Sequence, residues 1–275
     1  MKEKNWYLRF GAALTLVCLL FILLGFFWTP YEAGHLSAAE RFAPPSGAHL
    51  FGCDQLGRDI LSRTLEGAGS TFVIALAVVA VGFVFGLMIG ALCGYFGGPL
   101  DGLLMRLCDA VTAFPSILLA MVIVALMGPG TYHIILALGI LFVPSFARLV
   151  RSEFLKFRQR EFVEAARATG ISPLRIVFRH ILPNTWPVLL SGLTIGFNNA
   201  VLSEASMSFL GIGVGPADAS LGRMLSEGQG ILFSAPWCTL FPGLAVILLI
   251  LGVGMLGEGI RENLRLGNMG GGDGF

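Results

Sequence analysis

The groups in this chain that could carry chemistry are few, and their spacing rules out the common kinds. Its three lysines, Lys2, Lys4 and Lys156, are followed by Glu3, Asn5 and Phe157. A phosphate-binding loop needs a glycine-rich turn and a lysine followed by serine or threonine, so nucleotide is not held here in that way. His35, His49, His133 and His180 are far apart, and no His-Glu-x-x-His or Gly-x-Ser-x-Gly occurs. Cys18, Cys53, Cys93, Cys108 and Cys238 show neither Cys-x-x-Cys nor metal-type spacing, so no metal or cofactor is expected. Cys53 and Cys238 could share the outer side, which leaves a disulfide between them open. The remaining candidates lie in or beside apolar runs: Asn198 and Asn199, Glu204, and Asp109. Polar groups there are costly and tend to face a cavity or a partner. Asn198, Asn199 and Glu204 are therefore candidates for a translocation path, with helix–helix hydrogen bonds the alternative for the asparagines. A membrane-embedded enzyme would need paired catalytic groups in the spans, and none is found.

The elements that must position these residues are membrane helices. Of 275 residues, 55% are hydrophobic and 13% charged, with mean hydropathy +0.80. Soluble domains carry about 25% charged residues. The net charge of +1 and the absence of a basic, aromatic stripe point away from nucleic acid. A bilayer core of about 30 Å needs roughly 20 apolar residues per helix. Six runs qualify: residues 10–28, 70–97, 110–127, 133–147, 188–203 and 236–257, the fourth short and containing Pro144. The first run is long for a signal peptide and lacks a small-residue cleavage site, so it reads as a retained helix. Fourteen of the eighteen Lys and Arg, including Lys2, Lys4, Arg9, Arg106, Arg261 and Arg265, then fall on one side. Arg41, Arg58, Arg63 and Arg223 fall on the other. Positive residues mark the cytoplasmic face, so both termini are expected inside. Gly82, Gly86, Gly90, Gly94 and Gly98 recur every fourth residue. Such a stripe admits a second helix at close range, from this chain or from another subunit.

The longest cytoplasmic loop, residues 148–187, carries eight of the basic residues. Residues 161–169 read as a helix, Gly170 as its C-terminal cap, and Ser172-Pro173 as the start of a second short helix stopped by Leu182-Pro183. Composition alone fits an amphipathic hairpin lying against anionic lipid.

The order Glu164-Ala165-Ala166, Gly170, His180-Ile181-Leu182-Pro183 resembles the EAA loop of permease subunits from bacterial ABC importers. The resemblance extends through the segment from Leu50 to Arg63 (LFGCDQLGRDILSR), Gly94-Tyr95-Phe96-Gly97-Gly98, Ala113-Phe114-Pro115, and Glu204 to Val214 (EASMSFLGIGV). These motifs are similar to those of the C-type permease of dipeptide, oligopeptide and nickel importers. Cys53 stands where that family usually has Thr, and the closing Asp-Pro of the family is missing. The resemblance implies an all-α polytopic membrane protein of six transmembrane helices, with the MetI-like type I ABC importer permease fold. Residues 1–69 would form a first helix and outer loop, and residues 70–275 the permease core. It further implies a bacterial inner membrane location, no enzyme activity in this chain, and three kinds of protein partner. These are a second, homologous permease, two ABC ATPase subunits and an external solute-binding protein. Glu164, Ala165, Ala166, Gly170, Leu174, Arg175, His180, Leu182 and Pro183 would form the ATPase-coupling surface. Short peptides are the first choice of solute and nickel, free or chelated, the alternative.

Overall fold

The computed structural model describes residues 6–215 and 218–270, with side chains in the last helix through Asn263. Lys2 and Lys4, used above for orientation, lie outside the described residues, as does the side chain of Arg265. Among the described residues ten α-helices form: α1 Trp6–Phe27, α2 Ile60–Phe96, α3 Gly98–Thr112, α4 Ser116–Met127, α5 Thr131–Arg158, α6 Glu161–Ala168, α7 Pro173–Ile176, α8 Leu182–Phe209, α9 Leu221–Gln229 and α10 Trp237–Gly270. Among the described residues no strand forms, and one isolated β-bridge joins Cys53 to Asp59.

Four helices, α1, α2, α5 and α10, are long and apolar enough to cross a membrane, and α3 with α4 makes a fifth candidate bent by 84°. At 28 residues α8 is long enough, at about 42 Å, to cross a bilayer core. Its Asn, Pro and Glu residues keep it below the apolarity of the others. The arrangement is compatible with six crossings, though their limits differ from the apolar runs.

Three differences have clear causes. The second helix starts at Ile60 rather than residue 70, because the Asp59 side chain caps it by accepting a hydrogen bond from the Ser62 amide at 2.8 Å. The third run is not one helix. It breaks before Ser116 because Pro115 has no amide hydrogen and its ring would meet the carbonyl of Val111. The fourth continues past residue 147 to Arg158, with Pro144 buried inside it. Asp101 and Asp109 on α3 receive Arg151 and Arg148 of α5, so those arginines belong to a helix and not to the loop.

The glycine stripe is an internal packing device. A Cβ added at Gly82, Gly86, Gly90 or Gly94 would approach Phe142, Phe146, Val150 or Phe154 of α5 within 2.7 Å. Both sets repeat every four residues, so a ridge of α5 fills a groove whose floor is α2 backbone. Gly98 does not belong to the stripe: its φ is +68° and nothing lies near its absent Cβ. On the opposite flank α1 lies along α10, where Gly11 and Gly259 meet the backbones of Leu256 and Leu8. The main core runs through α2, α5, α8 and α10, with Ile74, Val78, Leu138, Phe146, Phe197 and Leu249 among its members.

Candidate coupling surface and translocation cavity

One end of the molecule is a helical hairpin seated on the ends of α2 and α5. On α6 the residues three apart, Val163 and Ala166, are buried, while Glu164 and Ala165 face outward. Val163 and Ala166 join Ile176, Val177 and Ile181 in a core with Phe154 of α5 and Tyr95 of α2. The Arg167 guanidinium stacks over the Tyr95 ring at 5.1 Å, adding a cation–π contact to the same seat. The chain leaves α6 through a two-bond cap: the Gly170 amide donates to the Arg167 carbonyl and the Ile171 amide to the Ala166 carbonyl. This is a Schellman motif, and it requires the left-handed angle found at Gly170, φ +73°. Ser172 stands at the N-cap of α7 with Pro173 after it, although its hydroxyl makes no capping bond.

Leu182-Pro183 does not stop the second helix. A π-helical turn, Val177–Ile181, carries α7 directly into α8, and Pro183, which has no amide to donate, lies just past that turn. The hairpin is thus continuous with a long helix rather than tethered at both ends. Leu174, Arg175, Phe178 and Pro183 are exposed, whereas His180 and Leu182 are half-buried. The exposed part is apolar and charged at once, with Phe162, Leu174 and Phe178 exposed as well as Glu164, Ala165 and Arg175.

Nearer the middle of the helices, α4, α5 and α8 line an open cavity of about 430 Å³. Its wall is mostly apolar, with Phe142 and Phe146 from α5, and carries the hydroxyls of Ser116, Ser145 and Ser203. Asn199 lines it. Asn198 lies on another face of α8, beside Thr194 and against Gly254 of α10. Glu204 is fully enclosed; its Oε1 accepts a hydrogen bond from the Ser208 hydroxyl at 2.7 Å. The three polar residues of α8 therefore occupy three separate environments.

The opposite end is closed by a segment between α1 and α2. Asp54 accepts from Arg58 Nε at 2.7 Å and from Arg63 Nη1 at 2.8 Å. Glu227 of α9 accepts from both arginines at 2.8 Å and from Arg223 at 3.1 Å. Burial pushes the Glu227 carboxyl up, but the charges of Arg63 and Arg58 and their hydrogen bonds outweigh it and hold the group below its ordinary range. Cys53 and Cys238 are both free thiols, and the Cys238 thiol points at the Cys53 carbonyl, 3.7 Å away.

The family described as the binding-protein-dependent transport system inner membrane component matches residues 86–265, which include the hairpin, the cavity walls and most of α10. The chain belongs to this family. The permease is 40% identical over 247 residues to the dipeptide transport system permease protein DppC of Alkalihalophilus pseudofirmus, covering 89% of this chain and 81% of that one. It is 39% identical over 263 residues to the glutathione transport system permease protein GsiD of Escherichia coli O6:K15:H31, covering 95% and 87%. Among solved structures, an inward-facing form of the MetNI methionine ABC transporter superposes with a TM-score of 0.63 at 23% identity, over 73% of this chain and 95% of that one. That likeness establishes the MetI-like fold of the permease. It is a multi-pass inner membrane subunit of an ABC importer, in which ATP hydrolysis lies in partner subunits and a binding protein delivers the solute.

Sequence reasoning missed the outer network of this permease. Asp54, Arg58 and Arg63 are close in sequence, but they entered only as part of the segment from Leu50 to Arg63, and the arginines in the charge count as well. Their partner Glu227 is more than 160 residues away, and no local pattern announces it.

Proposed function

We propose that this permease imports short peptides as half of a membrane heterodimer, and that its cytoplasmic hairpin receives the motion of an ATPase subunit. The observation that carries the coupling role is the division of the hairpin into two faces. Val163, Ala166, Ile176 and Ile181 bind it to the ends of α2 and α5, while Glu164 and Ala165 are exposed and Leu174 and Phe178 line an open apolar groove beside α2. Exposed apolar residues mixed with charge fit a protein groove that closes around a short helix. Force applied to that face enters α8 directly, since the π-helical turn leaves no loop between them. On this reading both termini and the hairpin are cytoplasmic, and the Asp54 network faces outward. Asn199, on the cavity wall, is the polar residue of α8 best placed to meet the solute.

The peptide reading is supported by relatives near 40% identity named for dipeptide and glutathione transport. The cavity is compatible with it, offering hydroxyl and amide groups on an apolar wall, as suits a peptide backbone with varied side chains.

Two substitutions test the coupling. Gly170→Pro cannot adopt φ +73°, and Glu164→Lys reverses the central charge. Each is expected to abolish uptake and the stimulation of ATPase activity while the protein still inserts in the membrane. Normal uptake by a complex carrying Gly170→Pro would sink the coupling assignment. For the solute, the partner binding protein is to be titrated with a peptide panel and with nickel chelates. Binding of a chelate and of no peptide overturns the peptide reading and leaves the coupling role standing.

A further inference from the structure

The outer segment holds a cluster that neither transport nor coupling uses. His49 is buried, and its Nδ1 lies 2.9 Å from Asp59 Oδ1. Asp59 is itself fixed, because its Oδ2 accepts from the Ser62 amide at 2.8 Å and the Ser62 hydroxyl at 2.7 Å. The Tyr31 ring covers the imidazole at 4.6 Å between centroids. This sets the ring so that Nε2 points to Glu40, whose Oε1 is 3.3 Å away. The Cys53 thiol completes the group: one ligating atom each from Glu40, His49 and Cys53 lie within 4.8 Å of one another.

We propose that Glu40, His49 and Cys53 form a binding site for a divalent transition metal of the zinc class on the outer side of the membrane. The donor set decides the class. Imidazole nitrogen and thiolate sulfur select zinc and its neighbours, whereas magnesium and calcium take oxygen ligands. The arrangement around His49 is that of a metal ligand whose other ring nitrogen is held by a carboxylate. A proton on Nε2 and a metal ion are alternative occupants of the space facing Glu40. The backbone keeps the donors in place: the Cys53 amide donates to the Ala43 carbonyl at 2.9 Å, and the Cys53 carbonyl accepts from Trp237 Nε1 at 3.1 Å. Glu40 remains about half exposed, so an ion has a way in from the outer solvent. Three protein ligands leave a fourth position for water. The bound ion would clasp the 3-10 turn at Ala38–Glu40 to the loop at His49 and Cys53, close to the cap of α2.

The test uses the full chain purified in detergent, treated with chelator, and dialysed against Zn²⁺ as the sole transition metal. About one zinc per chain is expected, and neither Mg²⁺ nor Ca²⁺ should displace it. Cys53→Ser should weaken binding by about tenfold or more, and should remove the thiolate-to-metal charge-transfer band when Co²⁺ replaces Zn²⁺. Glu40→Gln alters an exposed side chain and keeps the metal-free protein folded, and it should also lower affinity by about tenfold. Cys238→Ala, outside the site, should leave the stoichiometry unchanged. Less than about a tenth of a zinc per chain, or equal zinc binding by wild type, Cys53→Ser and Glu40→Gln, overturns the proposal.

Discussion

Glu227 shows how one side chain can hold two ends of a chain together. Its carboxylate joins Arg58 and Arg63 of the first outer segment to α9, and Asp54 shares both arginines. The folded group titrates below the unfolded value of about 4.3, so its stabilisation is complete above that pH and is lost as pH falls through the lower, folded value. Thermal melting in detergent is therefore expected to fall steeply below about pH 4. Glu227→Gln should lower stability at pH 7 by about 1–3 kcal/mol, because it leaves two arginines short of an acceptor, and should flatten that acid dependence. A melting profile unchanged by the substitution would show that Asp54 alone holds the cap. Gly170 is a different kind of residue, important for a backbone angle rather than a contact. Its role was legible in the sequence as a glycine after a helix-forming run, whereas the role of Glu227 depends on a fold that brings distant segments together.

The elements were legible where they depend on local chemistry. The caps of α6 and α7 follow from Gly170 and from Ser172-Pro173, and the long apolar runs became helices. Helix ends were less legible, because charge was read as the edge of the membrane. Arg63 and Arg151 lie within helices since Asp54, Glu227 and Asp101 partner them, and those partners come from other elements. Proline was misread in both directions. Pro115, placed inside one apolar span, breaks a helix, and Leu182-Pro183, read as a stop, does not. The four-residue glycine repeat left two partners open, and the structure assigns it to α5. Gly86→Leu should force α2 and α5 apart, since even its Cβ would lie 2.5 Å from Phe146 Cβ, and overpacking of this kind typically costs about 1–3 kcal/mol. Gly102→Ala on α3, with nothing near its Cβ, should be neutral or stabilising by up to about 1 kcal/mol. Comparison of the two melting temperatures checks the packing: equal effects would refute the groove.

Taken whole, the permease is a hairpin at one end, a cavity near the middle of the helices and a cap at the other end, strung on the same few helices. α5 passes through two of these regions, as do α2 and α8. Phe154 packs in the hairpin core, while Phe142, Ser145 and Phe146 line the cavity. If the cavity belongs to the solute path, water-soluble reagents should reach it in the assembled importer. Asn199→Cys is expected to react with a membrane-impermeant maleimide at a rate that changes when ATP is trapped on the partner ATPases. Asn198→Cys, turned toward α10, should stay unreactive in both states. Equal labelling of the two positions would place the path elsewhere. The outer cap, the inner hairpin and the family of the chain all bear on import, and solute choice is the part least readable from this chain, because a separate protein presents the solute.

The groove between α2 and α5 has a consequence for how this transporter can change its diet. Phe146 presses on Gly86 with its Cβ and on Gly196 with the tip of its ring, and it also forms part of the cavity wall. The shape of the chamber and the register of two helices are therefore linked through Phe146. Sliding α5 along α2 reshapes the chamber without changing a single wall residue. Genetic selection for new solutes should then recover changes at residues of α2 that no solute ever touches.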